Sequence, residues 1–122
     1  MRVLSIGEIL WDVYHDREML GGAPFNFATN THRLGDASAL ITGLGNDQRG
    51  AAAWAVIREL GLDAGGVQTI DRAPTGTVQV ALSADGIPEF TIERPAAYDC
   101  MMISEKVVEW ALAFQADWIY FG

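Results

Sequence analysis

The chain opens on Arg2-Val3-Leu4-Ser5-Ile6-Gly7-Glu8-Ile9, an apolar run of strand length, and a second such run begins near Ala39 and closes at Gly43 and Gly45. Short runs with only isolated polar residues predict strands buried on both faces, as parallel strands are. Between them Pro24 stands where a first helical turn tolerates a missing amide, and Phe25, Ala28, Thr29, His32 and Arg33 follow before Gly35. That spacing predicts a helix bracketed by proline and glycine. After the second strand, Asp47 is a candidate N-cap for a helix carrying Ala51, Ala52, Ala53, Trp54, Val56, Ile57 and Leu60, stopped by Gly61. Val67 to Ile70 predicts a short third strand, a last helix is expected from about Ser104 to Gln115, and Trp118-Ile119-Tyr120-Phe121 reads as a closing strand. Strands alternating with helices define an α/β chain built on an open, mostly parallel sheet flanked by helices.

Two stretches break that alternation. From Thr77 to Ser83 polar positions alternate with Val78, Val80 and Leu82; Asp85-Gly86 offers a turn, and Glu89 to Arg94 alternates again, which predicts a β-hairpin. A shorter excursion runs from Asp12 to Leu20, where Val13-Tyr14 and Glu18-Met19-Leu20 flank a polar His15-Asp16-Arg17 turn. Together, segments of about 12–20 and 75–95 are expected to form a small antiparallel sheet standing off the main layer, inserted in residues 1–122 as part of one α/β domain. The closing apolar strand belongs in the interior of a doubly wound sheet, so the sheet is expected to be truncated there, at Gly122. Its open edge predicts a homo-oligomer formed through that edge or through the stand-off sheet.

Charge narrows the partners. Sixteen acidic against eight basic residues give a formal charge of -8, a field that repels phosphodiester backbones and anionic head groups, so neither nucleic acid nor membrane is expected as a partner. No apolar stretch approaches the ~20 residues needed to cross a bilayer. The single Cys100 has no His or Cys at ligand spacing, which predicts no metal site and a reducing, cytoplasmic setting.

The candidate chemistry gathers around Gly21-Gly22-Ala23-Pro24-Phe25-Asn26. Adjacent glycines let the backbone approach a ligand, Pro24 fixes a helix start whose first amides face outward, and Asn26 can both donate and accept. A polyol asks for such groups, because each hydroxyl is donor and acceptor at once. Asp12, just past the end of the first strand, stands on the side where open α/β sheets place ligands. On pattern alone Asp12 reads equally as a solvated turn residue, and the two glycines as a plain turn into a helix. Gly43 to Gly50 lacks the G-x-G-x-x-G spacing of a dinucleotide site and reads as a tight turn into a capped helix, while His15 and His32 read as surface or packing residues.

The order Gly7-Glu8-Ile9-Leu10-Trp11-Asp12, then Gly21 to Ala28, then Leu44-Gly45-Asn46-Asp47-Gln48-Arg49-Gly50, then Thr75-Gly76-Thr77 resembles the amino-terminal part of the ribokinase and fructokinase (PfkB) family along essentially the whole chain. The resemblance implies a ribokinase-like fold with a β lid, in which the residues matched by Asp12, Gly21, Gly22 and Asn26 bind sugar hydroxyls. Phe90 and Arg94, on the second lid strand, would face or rim the sugar, or else be an ordinary packed aromatic and a solvated cation. Ala23-Pro24, where ribokinases tend to carry a Lys, is similar to the fructokinase branch. The implied reaction passes the ATP γ-phosphate to a sugar hydroxymethyl with Mg and ATP as cofactors. The family's later Gly-Ala-Gly-Asp segment, which holds its catalytic base, and its Asn-x-x-Glu element do not occur in these residues, so the resemblance places that base beyond Gly122. The chain is therefore expected to carry the sugar face without a catalytic residue or the ATP site, and to be inactive alone. The alternatives are a non-catalytic sugar-binding or oligomerising module, and a fragment of a nucleoside kinase.

Overall fold

The computed structural model describes all of residues 1–122. Strand β1 (Arg2–Ile6) ends at Gly7, whose φ of +143° turns the chain out of the sheet. Strands β2 (Leu10–Val13) and β3 (Glu18–Gly21) follow, then helix α1 (Ala23–Arg33), strand β4 (Ala37–Gly45) and helix α2 (Gln48–Leu60). Strand β5 (Asp63–Ile70), the hairpin strands β6 (Gly76–Leu82) and β7 (Pro88–Ile92), a single 3-10 turn (Ala97–Cys100), helix α3 (Glu105–Phe114) and strand β8 (Trp118–Phe121) complete the chain. None of the helices is long and apolar enough to cross a membrane.

The main sheet has the order β5-β4-β1-β8, and every pair in it is parallel. Along β4, Leu40 and Leu44 join Phe25, Ala28, Ala53 and Ile57 on the face covered by α1 and α2, while Ala39 and Ile41 join Leu4, Val107 and Phe114 beneath α3. This two-sided burial is why β4 reads as a continuous apolar run. Strand β5 starts four residues before the expected Val67, because two glycines in its first half hide it from the apolar pattern. A Cβ on Gly65 would lie 2.0 Å from Trp110 Nε1, so the missing side chains make the slot in which α3 lays its tryptophan. The caps follow the expected chemistry: Asp47 accepts from the Gly50 amide at 2.7 Å, Ser104 accepts from Val107, and Gly61 closes α2 with φ of +74°. Gly122 extends the ladder past β8, its amide donating to the Ile6 carbonyl at 3.2 Å, and its carbonyl oxygen lies 2.7 Å from where a Cβ on Gly7 would stand.

The second sheet, β3-β2-β6-β7, stands off the first as expected, with its hairpin turn at Asp85-Gly86. It is mixed rather than antiparallel. The chain enters it twice from the carboxyl ends of main-sheet strands, after β1 and again after β5, so the two outgoing strands β2 and β6 run parallel in the middle. The returning strands β3 and β7 pair antiparallel on the outside. The first excursion begins at Leu10, so Asp12 is a strand residue of the lid and not a loop residue following β1. Leu10 and Val78 from the centre of this sheet bury against Ala96 and Tyr98, which ties it to the body.

Candidate functional site

Successive residues of a strand face opposite ways, so β2 presents Asp12 on one face and Trp11 and Val13 on the other. Asp12 lies opposite Met19, two positions along from the Leu10–Gly21 pair, and its carboxylate turns towards Gly21. A Cβ on Gly21 would stand 3.0 Å from Asp12 Oδ2 and 3.9 Å from Asn26 Nδ2. The carboxylate from the lid and the amide from the first turn of α1 thus flank one glycine and can reach one ligand. Burial pushes the Asp12 carboxyl above the usual carboxylate range, and no opposing cation or donor acts on it.

Gly22 has a different task. Its φ of +105° is one that only glycine adopts readily, and a Cβ there would lie 2.6 Å from the Glu8 carbonyl oxygen. It turns β3 directly into α1, with Pro24 in the first turn. The mouth of that helix is less open than its sequence suggests: Glu8 Oε1 accepts from the Ala23 amide at 3.1 Å, and Pro24 has no amide to offer. Sequence reasoning missed Glu8. The signal was a lone carboxylate inside an apolar run, which a buried strand does not tolerate without a partner.

Phe90, 64% exposed, pairs with Val80 and shares the Asp12 face of the lid. Arg94 departs from the expected position. Strand β7 ends at Ile92, and the Arg94 guanidinium turns to Asp99, which it grips through Nη2 and through Nε at 3.2 Å, while lying over the Tyr98 ring. The hydrogen bond to Asp99, with the charge behind it, holds Arg94 above the ordinary guanidinium range, and Asp99 is held low by the same contact. A cleft of about 400 Å³ joins Arg94 to Glu8, Leu10, Ile92 and Tyr98 beside the carboxyl ends of β1 and β8. Gly122 lines the same cleft with its backbone. Asp12, Gly21 and Asn26 therefore come together, Gly22 and Glu8 adjoin them, and Arg94 stands in the neighbouring cleft with its charge already paired.

A larger cleft of about 930 Å³ lies on the other face of the lid, lined by Trp11, Glu18, Asp47, Arg49, Thr75 and Thr77 among others. Its principal charges are paired across it. Arg49 holds Glu18 through two bonds, and Asp47 accepts from the Thr75 hydroxyl at 2.6 Å and the Thr75 amide at 2.9 Å. Groups committed in this way are poor ligands, whereas the Asp12 carboxylate is not bonded elsewhere.

An open parallel sheet with ligand-type groups at its carboxyl edge and a small β lid above them defines a ribokinase-like sugar-kinase fold. The sequence agrees: residues 5–122 match the pfkB family of carbohydrate kinases, and the chain belongs to that family. It is similar to fructokinase-1 of Zea mays, at 37% identity over 87 residues, covering 71% of this chain and 27% of that protein. Among solved structures, a sugar kinase of Pyrococcus horikoshii superposes with a TM-score of 0.85 at 28% identity, over 100% of this chain and 43% of that one. The ATP-bound fructokinase of Xylella fastidiosa gives 0.86 at 28% identity, over 98% and 38%. The chain thus spans between 27% and 43% of the lengths of these relatives.

Proposed function

We propose that this chain is the sugar-binding portion of an ATP-dependent carbohydrate kinase of the fructokinase type. Asp12 accepts hydrogen bonds from sugar hydroxyls, Asn26 both donates and accepts, and Gly21 and Gly22 let the sugar approach the backbone between them. The lid, with Phe90 on its inner face and Arg94 at the rim, covers the sugar and excludes water. The observation that carries the reading is the meeting of the Asp12 carboxylate and the Asn26 amide at Gly21. The ATP-bound Xylella relative supports ATP as the phosphoryl donor in the complete family fold.

In the reaction so proposed, a sugar hydroxymethyl oxygen attacks the γ-phosphorus, loses its proton to a base and displaces ADP. The base is assigned to the family's segment beyond Gly122, and the residues here hold and orient the acceptor. Positioning and charge stabilisation make up nearly all of phosphoryl-transfer catalysis, and with only the positioning half the chain alone is inactive. The test is a thermal-shift panel of fructose, ribose, 2-keto-3-deoxygluconate and adenosine on the chain and on Asp12→Ala and Asn26→Ala. Fructose is expected to raise the melting temperature most, and each substitution to weaken its binding by about 1 to 3 kcal/mol. A shift with adenosine alone would move the reading to a nucleoside kinase, and fructose binding indifferent to both substitutions would end it.

A further inference from the structure

Arg49 is the second residue of α2, and its position is fixed from below. Asp47 caps the helix, and Gly50 sits so close to Gly45 that a Cβ on it would lie 2.0 Å from the Gly45 carbonyl oxygen. From that base Arg49 reaches two lid strands. Its guanidinium donates to Glu18 of β3 as a fork, Nη2 to Oε1 at 2.6 Å and Nε to Oε2 at 3.1 Å, and its carbonyl oxygen accepts from Trp11 Nε1 of β2 at 3.1 Å. Trp11 and Glu18 lie on the lid face opposite Asp12, and Trp11 is its neighbour in the chain.

We propose that Arg49 is a positioning residue for Asp12: by clamping β2 and β3 from behind, it holds the lid at the distance from the body that keeps the Asp12 carboxylate facing Asn26 of α1 across Gly21. The functional consequence rests on the reading of Asp12 as a sugar ligand; the clamp itself does not. An arginine suits the place, because a planar fork fixes the direction as well as the length of the contact, whereas a lysine at the same position makes one rotatable bond. The Arg49 side chain is 43% exposed and that of Glu18 38%, so the clamp sets geometry and adds little to global stability.

The test uses isotope-labelled chain, comparing Arg49→Met and Arg49→Lys with the control Arg58→Met, whose arginine lies over Trp54 towards the far end of the same helix. Amide exchange in β2 and β3 is expected to speed up by as much as about fivefold in Arg49→Met, the most an exposed ion pair commonly contributes, less in Arg49→Lys and not at all in Arg58→Met. Exchange in β1 and β4 should stay as it was. The Asp12 carboxyl, followed by carbon NMR, gives the sharper readout because two explanations move it in opposite directions. Loosening the lid lets water in and lowers its pKa towards the ordinary value, whereas simple removal of a nearby positive charge raises it. An Asp12 titration that rises or stays put, or faster exchange spread evenly through β4, would overturn the clamp. If the lid loosens and fructose binding does not change, the clamp stands and the assignment of Asp12 to the sugar falls.

Discussion

Two adjacent glycines, identical as letters, do different work. At Gly22 the backbone itself forbids a side chain: φ is +105° and the nearest obstacle, 2.6 Å away, is a carbonyl oxygen that cannot step aside. Gly22→Ala is expected to cost roughly 1 to 3 kcal/mol of stability, read by urea denaturation. At Gly21 φ is not in the left-handed region and the obstacle is the Asp12 carboxylate, the free end of a side chain. Gly21→Ala is therefore expected to leave stability within about 1 kcal/mol of the parent, since only a side chain must give, and to displace Asp12, so that the loss shows in fructose titration. Equal losses of stability in the two variants would contradict this division. The run from Gly21 to Asn26 marked the place in the sequence, and Asp12 was legible as its partner. The reach of Glu8 forward to the Ala23 amide was not, because a lone carboxylate in an apolar run announces the need for a partner but not which group, fifteen positions on, supplies it.

Among the elements, the start of α2 is the best tied. Burial pushes the Asp47 carboxyl up, but hydrogen bonds from the Thr75 hydroxyl, the Thr75 amide and the Gly50 amide together outweigh it and hold the group below the usual carboxylate range. One carboxylate thereby caps α2 and secures the entry to β6. A carboxyl lowered on folding contributes stability that is fully present above its unfolded pKa, near 3.9, and is lost as the pH falls through the folded value. Asp47→Ala is expected to cost about 1 to 2 kcal/mol at pH 7, the upper range for an N-cap. Its denaturation midpoint should also fall less between about pH 5 and pH 2.5 than the parent's; an unchanged acid limb would mean the carboxylate is not the group that titrates there. The cap, the helices and the hairpin were legible because each is local, a matter of spacing, turn residues and caps. The parallel pairing of β2 with β6 was not, since Leu10 meets Gly76 only after the intervening sheet and helices have brought the second excursion beside the first. The early start of β5 was hidden for a related reason: its glycines gain meaning only from Trp110, on a helix much later in the chain.

At the scale of the whole molecule, β8 sets the problem. Parallel strands are ordinarily covered on both faces and paired on both sides, yet β8 pairs only with β1. On one face Tyr120 stacks on Phe27 at 4.4 Å, but Trp118 is 64% exposed. On the other, Ile119 at 58% and Phe121 at 79% stand beside a groove of about 410 Å³ lined by Leu4, Ile6, Val107 and Leu112 among others. A free strand edge flanked by apolar side chains is a template for another strand, and in a solution of this chain we expect β8 of a second copy to pair with it, antiparallel across a two-fold axis. Sedimentation velocity is expected to show concentration-dependent association, weakened by Ile119→Lys and by Phe121→Glu because each places a charge where the second copy would bury apolar surface. Phe90→Glu serves as the counter-test, since Phe90 is as exposed as Trp118 but lies on the lid. If Phe90→Glu disperses the assembly and the β8 variants do not, the copies meet through their lids. A clean monomer at high concentration would mean that neither surface is apolar enough to hold a second copy.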